Sequence, residues 1–336
     1  MIFFDGIIES LQKNGGVSVV FKELIKNLPQ DLRFKYSTFG IESSKLSSHN
    51  FECLPYRFLE RYRRCPVSSD DISAFHSTYY RLPNKKVPVI TTVHDFTYEY
   101  YSEGVKKFVH CQQKYNAIKN SDIVICVSEN TALDLMKFCP IHEDKVRVVH
   151  NGVSESYHIQ PNVNKRNSAL FVGSRTSYKN FDLAVKAVSM VDSMCLDIVG
   201  GGDLTQHELG LLDSYLPQRY TKHSFISDLE LNTLYNEVLA LIYPSDYEGF
   251  GIPLLESMRV GCPVICGNSS SIPEVVGSSG IVLESVSAHS IGEALRSIQN
   301  NSSLRQSLIS NGLEQSSIFS WKNTALQTDK IYQIFK

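Results

Sequence analysis

The feature that most constrains the fold is a pattern that recurs along the whole chain. A short, β-branched apolar run is followed by a polar or glycine-rich turn and then by a stretch of helical periodicity. The apolar runs are Ile2–Phe4, Val87–Val93, Ile123–Val127, Val146–Val149, Ala169–Val172, Leu196–Val199, Leu239–Tyr243, Val264–Cys266 and Ile281–Leu283. Because they are apolar on both faces, they predict strands of a buried parallel sheet.

The segments between these runs predict crossover helices, which gives an α/β, doubly wound fold. Four of them have clear helical periodicity: Ala117–Ser121, Phe181–Val191, Asp228–Glu237 and Pro253–Val260. A chain of 336 residues is long enough for two such domains. Apolar periodicity lapses after Asn151, so we expect an N-terminal domain over 1–155 and a second over 156–320. The amphipathic segment 321–336 is expected to pack back on the first domain.

Composition excludes several classes of function. The formal net charge is only -2, so no overall positive field favours a nucleic-acid partner. The eight cysteines form no CxxC pair and no cluster with zinc spacing, so we expect reduced thiols and no metal site. The start of the chain lacks the basic region of a signal peptide, and no run of about 18 apolar residues occurs. We therefore expect a cytoplasmic protein, with at most peripheral membrane contact.

The strongest local signal is the segment YEGFGIPLLE, which begins at Tyr247. Gly249 and Gly251 allow the backbone to approach a ligand closely, and Pro253 is typical of a first helical turn. The amides and the positive partial charge of a helix N-terminus suit a nucleotide diphosphate. Glu256 would then lie one turn into the helix, within reach of ribose hydroxyls, and Glu248 would meet the hydroxyls of a sugar.

Cations for such a diphosphate follow the predicted strand Ala169–Val172. Gly173 is a candidate donor-binding position. Arg175 and Lys179 follow it, four residues apart, a spacing that places both on one face if the loop continues as a helix. Arg offers a bidentate fork and Lys a point charge. Together they predict neutralisation of a leaving diphosphate without magnesium.

Further candidates follow the first domain's strands, where ligands of open parallel sheets bind. Gly15 and Gly16 lie beyond the first apolar run, and His94 directly follows Val93. The two glycines and His94 are therefore candidate site residues.

These motifs together resemble the retaining glycosyltransferases of family 4, whose mark is two glutamates separated by seven residues. The resemblance extends over nearly the whole chain and is clearest from Ser121 to Ser285. It comprises EGFGIPLLE from Glu248, Arg175 with Lys179, Gly15-Gly16, Val93-His94-Asp95, CVSENT from Cys126, VVHNGV from Val148 and IVGGGD from Ile198. It implies a GT-B fold, in which two Rossmann-like domains face each other across a cleft that binds a nucleotide sugar.

The resemblance also implies a role for each matching residue. Glu256 would bind the ribose, and Arg175 with Lys179 would hold the phosphates. Glu248 and the amides of Phe250 and Gly251 would bind the transferred sugar. In addition, Gly16 would approach the diphosphate, His94 would lie near the donor sugar, and the backbone around Phe225 and Ile226 would recognise the base. One departure concerns Arg175, which follows Gly173-Ser174, whereas many relatives have the arginine directly after the glycine.

The implied reaction transfers a hexose or deoxyhexose to a glycan with retention of anomeric configuration, in assembly of a bacterial surface polysaccharide such as an O-antigen. The implied acceptor is a glycan or an oligosaccharide linked to undecaprenyl diphosphate. Two alternatives stay open: a sugar-nucleotide epimerase or phosphorylase of related fold, and a noncatalytic nucleotide-sugar-binding module. The sequence names neither base nor sugar, although we favour GDP-mannose over UDP-sugars.

A basic and aromatic segment bears on the acceptor side. Tyr56–Arg64 contains four arginines among aromatic residues and one acid, and the pairs Lys85-Lys86 and Lys106-Lys107 lie in the same predicted domain. A solvated face would have this composition. A surface that contacts anionic lipid headgroups on the inner face of the cytoplasmic membrane would also have it, and we predict such a contact.

Overall fold

The computed structural model describes residues 1–12, 15–40, 50–224 and 226–336. It divides into two compact units, one made of Met1–Gly152 with Trp321–Lys336 and the other of Val153–Ser320. The first boundary therefore follows Gly152 rather than residue 155. A parallel β-bridge joins Val153 to Ser320, so the first and last residues of the second unit lie side by side.

The first unit is built on one parallel sheet. Its described strands are β1 (Ile2–Asp5), β2 (Phe34–Phe39), β3 (Phe51–Leu54), β4 (Ala74–Ser77), β5 (Val89–Val93), β6 (Ile123–Cys126) and β7 (Val146–Val148). They lie in the order β3-β2-β1-β4-β5-β6-β7, every pair parallel. The helices are α1 (Ile8–Leu11), α2 (Gly16–Asn27), α3 (Thr97–Tyr101), α4 (Gly104–Lys119) and α5 (Glu129–Phe138), with 3₁₀ turns at Glu60–Tyr62 and Glu143–Lys145.

The second unit repeats this architecture with a parallel sheet of its own. Its strands are β8 (Ser168–Val172), β9 (Cys195–Val199), β10 (Tyr220–His223), β11 (Ala240–Tyr243), β12 (Val264–Gly267) and β13 (Ile281–Leu283), in the order β10-β9-β8-β11-β12-β13. The helices are α6 (Phe181–Ser189), α7 (Gln206–Tyr215), α8 (Asp228–Glu237), α9 (Ile252–Arg259), α10 (Ile272–Val276), α11 (Ala288–Asn300) and α12 (Ser302–Ile318). A 3₁₀ turn, Ser177–Lys179, precedes α6.

The chain then returns to the first unit as α13 (Trp321–Tyr332) and a short 3₁₀ turn, Gln333–Phe335. The Tyr332 hydroxyl lies 2.6 Å from His76 Nδ1, and Thr324 Oγ1 donates to the His150 carbonyl at 2.7 Å. His76 Nε2 lies 2.8 Å from Thr92 Oγ1. His76 is therefore a buried histidine that links β4 to the last helix, and burial lowers its pKa to about 3.

Each apolar run that predicts a strand forms one, and the α/β doubly wound class is confirmed. The helix prediction at Ala117–Ser121 was wrong in extent, because α4 begins at Gly104 and ends at Lys119. The reason is that α4 exposes apolar side chains near its start, which hides the usual periodicity. No helix in the described part of the chain is long and apolar enough to cross a membrane.

Candidate functional site

The glycine-rich segment enters α9 with the geometry that the sequence predicts. Gly251 is the N-cap of α9 and has a φ of 98°, a left-handed conformation that favours glycine. A Cβ there would lie 2.8 Å from Leu254 Cδ1, so a side chain at this position would clash. The neighbouring Phe250 is buried and packs edge-to-face on Phe319 at 5.8 Å between ring centroids. These contacts fix the backbone at the start of the helix.

Two serines that the sequence did not single out hold this loop in place. Ser270 Oγ accepts a hydrogen bond from the Glu248 amide at 2.8 Å. The buried Ser271 Oγ contacts the carbonyls of Glu248 and Phe250 at 2.9 and 3.1 Å. Ser271 precedes Ile272-Pro273, so a second strand–turn–helix junction with proline in its first turn was the available signal.

Lys179 and Glu248 are brought into direct contact. Lys179 Nζ forms an ion pair with Glu248 Oε1, and both side chains are largely buried. The pair lies beside Tyr243 at the end of β11, with Nζ 5.4 Å from the centroid of that ring. The sequence placed this cation and this carboxylate at one site, and the structure does so with residues that are 69 positions apart.

Asn180, which the sequence did not single out, positions this lysine. Its φ is 54°, and its Nδ2 donates to the Pro244 carbonyl at 2.9 Å and to Asp246 Oδ1 at 2.7 Å. The Asp246 amide in turn donates to the Tyr178 carbonyl at 2.8 Å. The turn that contains Lys179 is thus tied by three hydrogen bonds to the loop that contains Glu248.

Glu256 lies one turn into α9, where the Tyr235 hydroxyl donates to its Oε2 at 3.0 Å. Burial raises the pKa of Glu256 to about 7, against the opposing effect of hydrogen bonds from Tyr235 and Tyr157. Burial raises the pKa of Tyr243 well above its usual value, and the charges of Glu248 and Glu256 add to this effect. Both carboxylates therefore act on the pKa of the same tyrosine.

Arg175 contradicts one geometric expectation. The residues from Gly173 to Lys179 do not form a helix that would place Arg175 and Lys179 on one face, since only a 3₁₀ turn precedes α6. The hydrogen bonds of Arg175 go instead to the turn after β9. Nη1 donates to the Gly200 carbonyl at 2.6 Å, and Nη2 contacts the carbonyls of Gly201, Gly202 and Asp203 at 3.2, 3.2 and 2.7 Å.

Glu208 completes this arrangement, because its Oε1 accepts from Arg175 Nε at 2.7 Å. The same carboxylate takes part in the capping box that begins α7 at Thr205. Gly200, Gly201 and Gly202 all have positive φ, so the turn is a left-handed one that glycine favours. Arg175 therefore holds this glycine turn against the start of α7.

We expect Arg175→Ala to lower the free energy of unfolding of the second unit by about 2 kcal/mol, because Glu208 and the turn's carbonyls lose a charged donor. Hydrogen exchange of a peptide over residues 199–208 should report this loss. Arg296→Ala is the matched control, since Arg296 forms a partly exposed ion pair with Glu293 in the same unit and should cost less than about 0.5 kcal/mol. Equal exchange in the two variants would contradict the assigned role.

Three other predicted donor-binding positions lie in the second unit. Gly173 has a φ of 131°, and a Cβ there would have no atom within 4 Å. Gly249 lies in the loop between Glu248 and Phe250. Ile226 follows β10 and lines a surface pocket of about 530 Å³ with His223, Leu229 and Thr233. The predicted contact at Phe225 lies outside the described residues.

The remaining predicted residues lie in the first unit. Gly15 is the N-cap of α2, and a Cβ on Gly16 would meet nothing within 4 Å, so no atom of the described chain requires glycine at that position. His94 is buried at the end of β5 and packs edge-to-face on Phe21 at 5.8 Å. Its Nε2 has no hydrogen-bond partner among the described residues.

Burial lowers the pKa of His94 to about 4, although the charge of Asp95 acts in the opposite direction. The ring is therefore neutral at pH 7, and its Nε2 is available to form one hydrogen bond with a polar ligand. Among the described residues, no group of three or more His, Cys, Asp or Glu side chains is arranged to hold a metal ion.

Comparisons with known proteins agree with this arrangement. The family model "Glycosyl transferases group 1" matches residues 154–315, and the model "Glycosyltransferase Family 4" matches residues 14–157. O-antigen chain mannosyltransferase B of Escherichia coli is 26% identical, over 77% of this chain and 74% of that protein. O-antigen chain mannosyltransferase RfbU of Salmonella typhimurium is 29% identical, over 66% and 64%.

A solved structure of Anabaena HepE in complex with UDP-glucose has the same fold, with a TM-score of 0.80 at 15% identity over 99% of each chain. The two parallel-sheet units and this structural neighbour together show a GT-B fold. Between them the two family models span nearly the whole chain, each on one of its two units. The chain belongs to the glycosyltransferases of family 4 and is a GT-B enzyme that transfers glycosyl groups.

Proposed function

We propose that the protein transfers a hexose or deoxyhexose, with retention, from a nucleotide sugar to a hydroxyl of a lipid-linked glycan during assembly of a surface polysaccharide. The observation that carries the proposal is the contact between Lys179 and Glu248 beside the glycine-rich start of α9. The O-antigen mannosyltransferases among the relatives support the surface polysaccharide and a mannose donor. HepE, solved with UDP-glucose, keeps a UDP-sugar as the alternative.

Lys179 is the cation that we assign to the diphosphate. Its ammonium group has three donors and uses one on Glu248, so the others are available for phosphate oxygens. The amides at the N-terminus of α9 supply further positive potential. Lys179 thus stabilises the negative charge that develops on the leaving diphosphate, with no metal ion required.

The two glutamates are assigned to the two sugars of the donor. Glu248, held next to Lys179, accepts hydrogen bonds from hydroxyls of the transferred ring, and Glu256 binds the ribose. With a pKa near 7, Glu256 can both accept and donate a hydrogen bond to a ribose hydroxyl at neutral pH. Arg175 is assigned to positioning the Gly200–Asp203 turn and not to direct phosphate contact. His94 is assigned a hydrogen bond to a hydroxyl of the donor sugar.

The chemistry that fits these groups is attack from the face that the diphosphate leaves. The bond between the anomeric carbon and the phosphate oxygen breaks, and a bond from that carbon to the acceptor oxygen forms on the same face. The acceptor proton passes to the departing phosphate. The enzyme contributes positioning and charge stabilisation, so no side chain need act as a nucleophile.

A thermal-shift screen of nucleoside diphosphates and nucleotide sugars, run in EDTA, tests the donor. A ligand that binds only the folded state at 100 times its Kd adds about 2.7 kcal/mol of stability, which gives a clear rise in Tm. We expect GDP and GDP-mannose to raise Tm more than UDP and UDP-sugars. A larger rise in Tm with UDP compounds would mean that the donor carries uridine rather than guanosine. No rise in Tm with any nucleotide would reject the donor site.

A further inference from the structure

Helix α4 of the first unit exposes apolar side chains and buries polar ones. Near its start the exposed side chains are apolar: Val105 is 79% exposed and Phe108 is 65% exposed, and Val109 adjoins them. The same helix buries His110 and Lys114. A surface helix normally shows the opposite distribution, so the exposed face of α4 lacks a partner within the described first unit.

A neighbouring loop adds further exposed apolar side chains. Phe58 is 81% exposed, and Leu59 and Tyr62 are each about half exposed. This loop is fixed against α4, because Gln113 Nε2 donates to the Arg61 carbonyl at 2.8 Å and Arg61 Nη2 lies 3.0 Å from His110 Nδ1. We call these six residues the apolar face: Phe58, Leu59, Tyr62, Val105, Phe108 and Val109.

Five cations adjoin the apolar face in the chain. In the described part of the first unit none of the following has a carboxylate within 4.0 Å: Arg61, Arg63, Arg64, Lys106 and Lys107. Nearby acids are neutralised inside the protein. Glu60 is buried and pairs with Arg57 and Arg81, and Glu99 pairs with Lys114. The exposed surface of this loop and helix thus combines apolar side chains with cations that have no ion-pair partner among the described residues, and Glu103 is an exposed acid on it.

We propose that the apolar face inserts into an anionic phospholipid bilayer while the adjoining cations contact lipid phosphates. Exposed aromatic and aliphatic side chains beside unpaired Lys and Arg are what binding at the interface of a negatively charged membrane requires. A second copy of the chain fits less well, because a two-fold contact would bring the five cations of each copy together. The inference deepens the proposed function, on which it rests for the lipid-linked acceptor, but testing it requires no turnover.

The test is flotation of the full chain with vesicles of phosphatidylglycerol and phosphatidylcholine, compared with pure phosphatidylcholine. We expect binding to the anionic vesicles that weakens as salt is raised. Phe108→Glu, alone or with Val105→Glu, should weaken it by roughly tenfold or more, since a charge replaces an inserted side chain. Leu133→Glu is the matched control, because Leu133 is 71% exposed on α5 of the same unit and should leave binding unchanged.

Two results would overturn the proposal. One is binding that does not depend on the anionic lipid or on Phe108→Glu. The other is a self-associated chain in analytical ultracentrifugation that becomes monomeric on the same substitution. The rise in Tm with the preferred nucleotide should be the same in wild type and Phe108→Glu. If Phe108→Glu loses vesicle binding but keeps this rise in Tm, the substitution affects the membrane surface alone. If wild type shows no rise in Tm with any nucleotide, the proposed donor site is rejected.

Discussion

Replacing Lys179 with alanine should reduce release of nucleoside diphosphate from the donor by about 100-fold or more, because the leaving group then loses its nearest cation. Lys179 Nζ already contacts Glu248 beside Tyr243, and the hydrogen bonds of Asn180 fix the turn that carries it. The lysine is therefore held in place before substrate binds. Initial rates at saturating donor measure the effect.

Lys186→Ala is the control for this experiment. Lys186 lies on α6 in the same unit, 5.9 Å from the ring centroid of Tyr215, and takes no part in the assigned site. It should retain nearly the full rate. The account would be contradicted if Lys179→Ala kept a rate close to that of the control while showing the same Tm as wild type.

Replacing Arg81 with methionine should destabilise the first unit by about 3–5 kcal/mol, which is the usual cost of removing one partner from a buried charge network. Arg81 is fully buried, with Nη2 2.9 Å from Glu60 Oε1 and Nη1 3.4 Å from Asp5 Oδ1. Burial raises the pKa of Asp5 to about 6 even though Arg81 opposes this shift. Without the guanidinium, two buried carboxylates would have to take up protons or draw in water.

Fluorescence can follow this unfolding, because the chain has a single tryptophan, Trp321, buried in the first unit. Arg57→Met is the matched variant. Arg57 pairs with the same Glu60 but is about half exposed, so its loss should shift the urea midpoint much less than loss of Arg81. An equal shift of the urea midpoint in the two variants would show that the buried ion pairs of Arg81 stabilise the first unit no more than the half-exposed pair of Arg57 does.

The sequence predicted nine of the thirteen described strands and missed four. Runs such as Val89–Val93 and Ile123–Cys126 are apolar on both faces, and that pattern leaves little alternative to a buried strand. Three of the missed strands carry polar residues and lie at or next to a sheet edge. The sequence of β2 is FKYSTF, and β3 and β10, at the edges of their sheets, read FECL and YTKH. None of these three strands has a continuous apolar run. The fourth missed strand, β4, reads AFHS, and two of its four residues are polar although it is buried in the centre of its sheet.

The candidate site was predicted as a set of residue types rather than as a network. The spacing of Glu248 and Glu256 and the glycines between them indicated a ligand at a helix start, and the structure provides that geometry. The partners Asn180, Ser271 and Tyr235 come from other loops and helices, so their hydrogen bonds depend on the tertiary fold.

The hydrogen-bond partners of Arg175 likewise depend on the tertiary fold. Its position in the chain resembles that of a phosphate ligand, yet the glycine turn after β9 takes up its hydrogen bonds. A sequence can place a cation after a strand, but which carbonyls surround it depends on how the neighbouring strand ends. Here the three consecutive glycines with positive φ were the available signal.

The most direct test of the central claim is a crystal structure with the nucleoside diphosphate that raises Tm most. The account predicts its phosphates within hydrogen-bonding distance of Lys179 Nζ and the amides that begin α9, with the ribose next to Glu256. A diphosphate bound elsewhere in the protein, with Lys179 and Glu248 still paired only to each other, would contradict it.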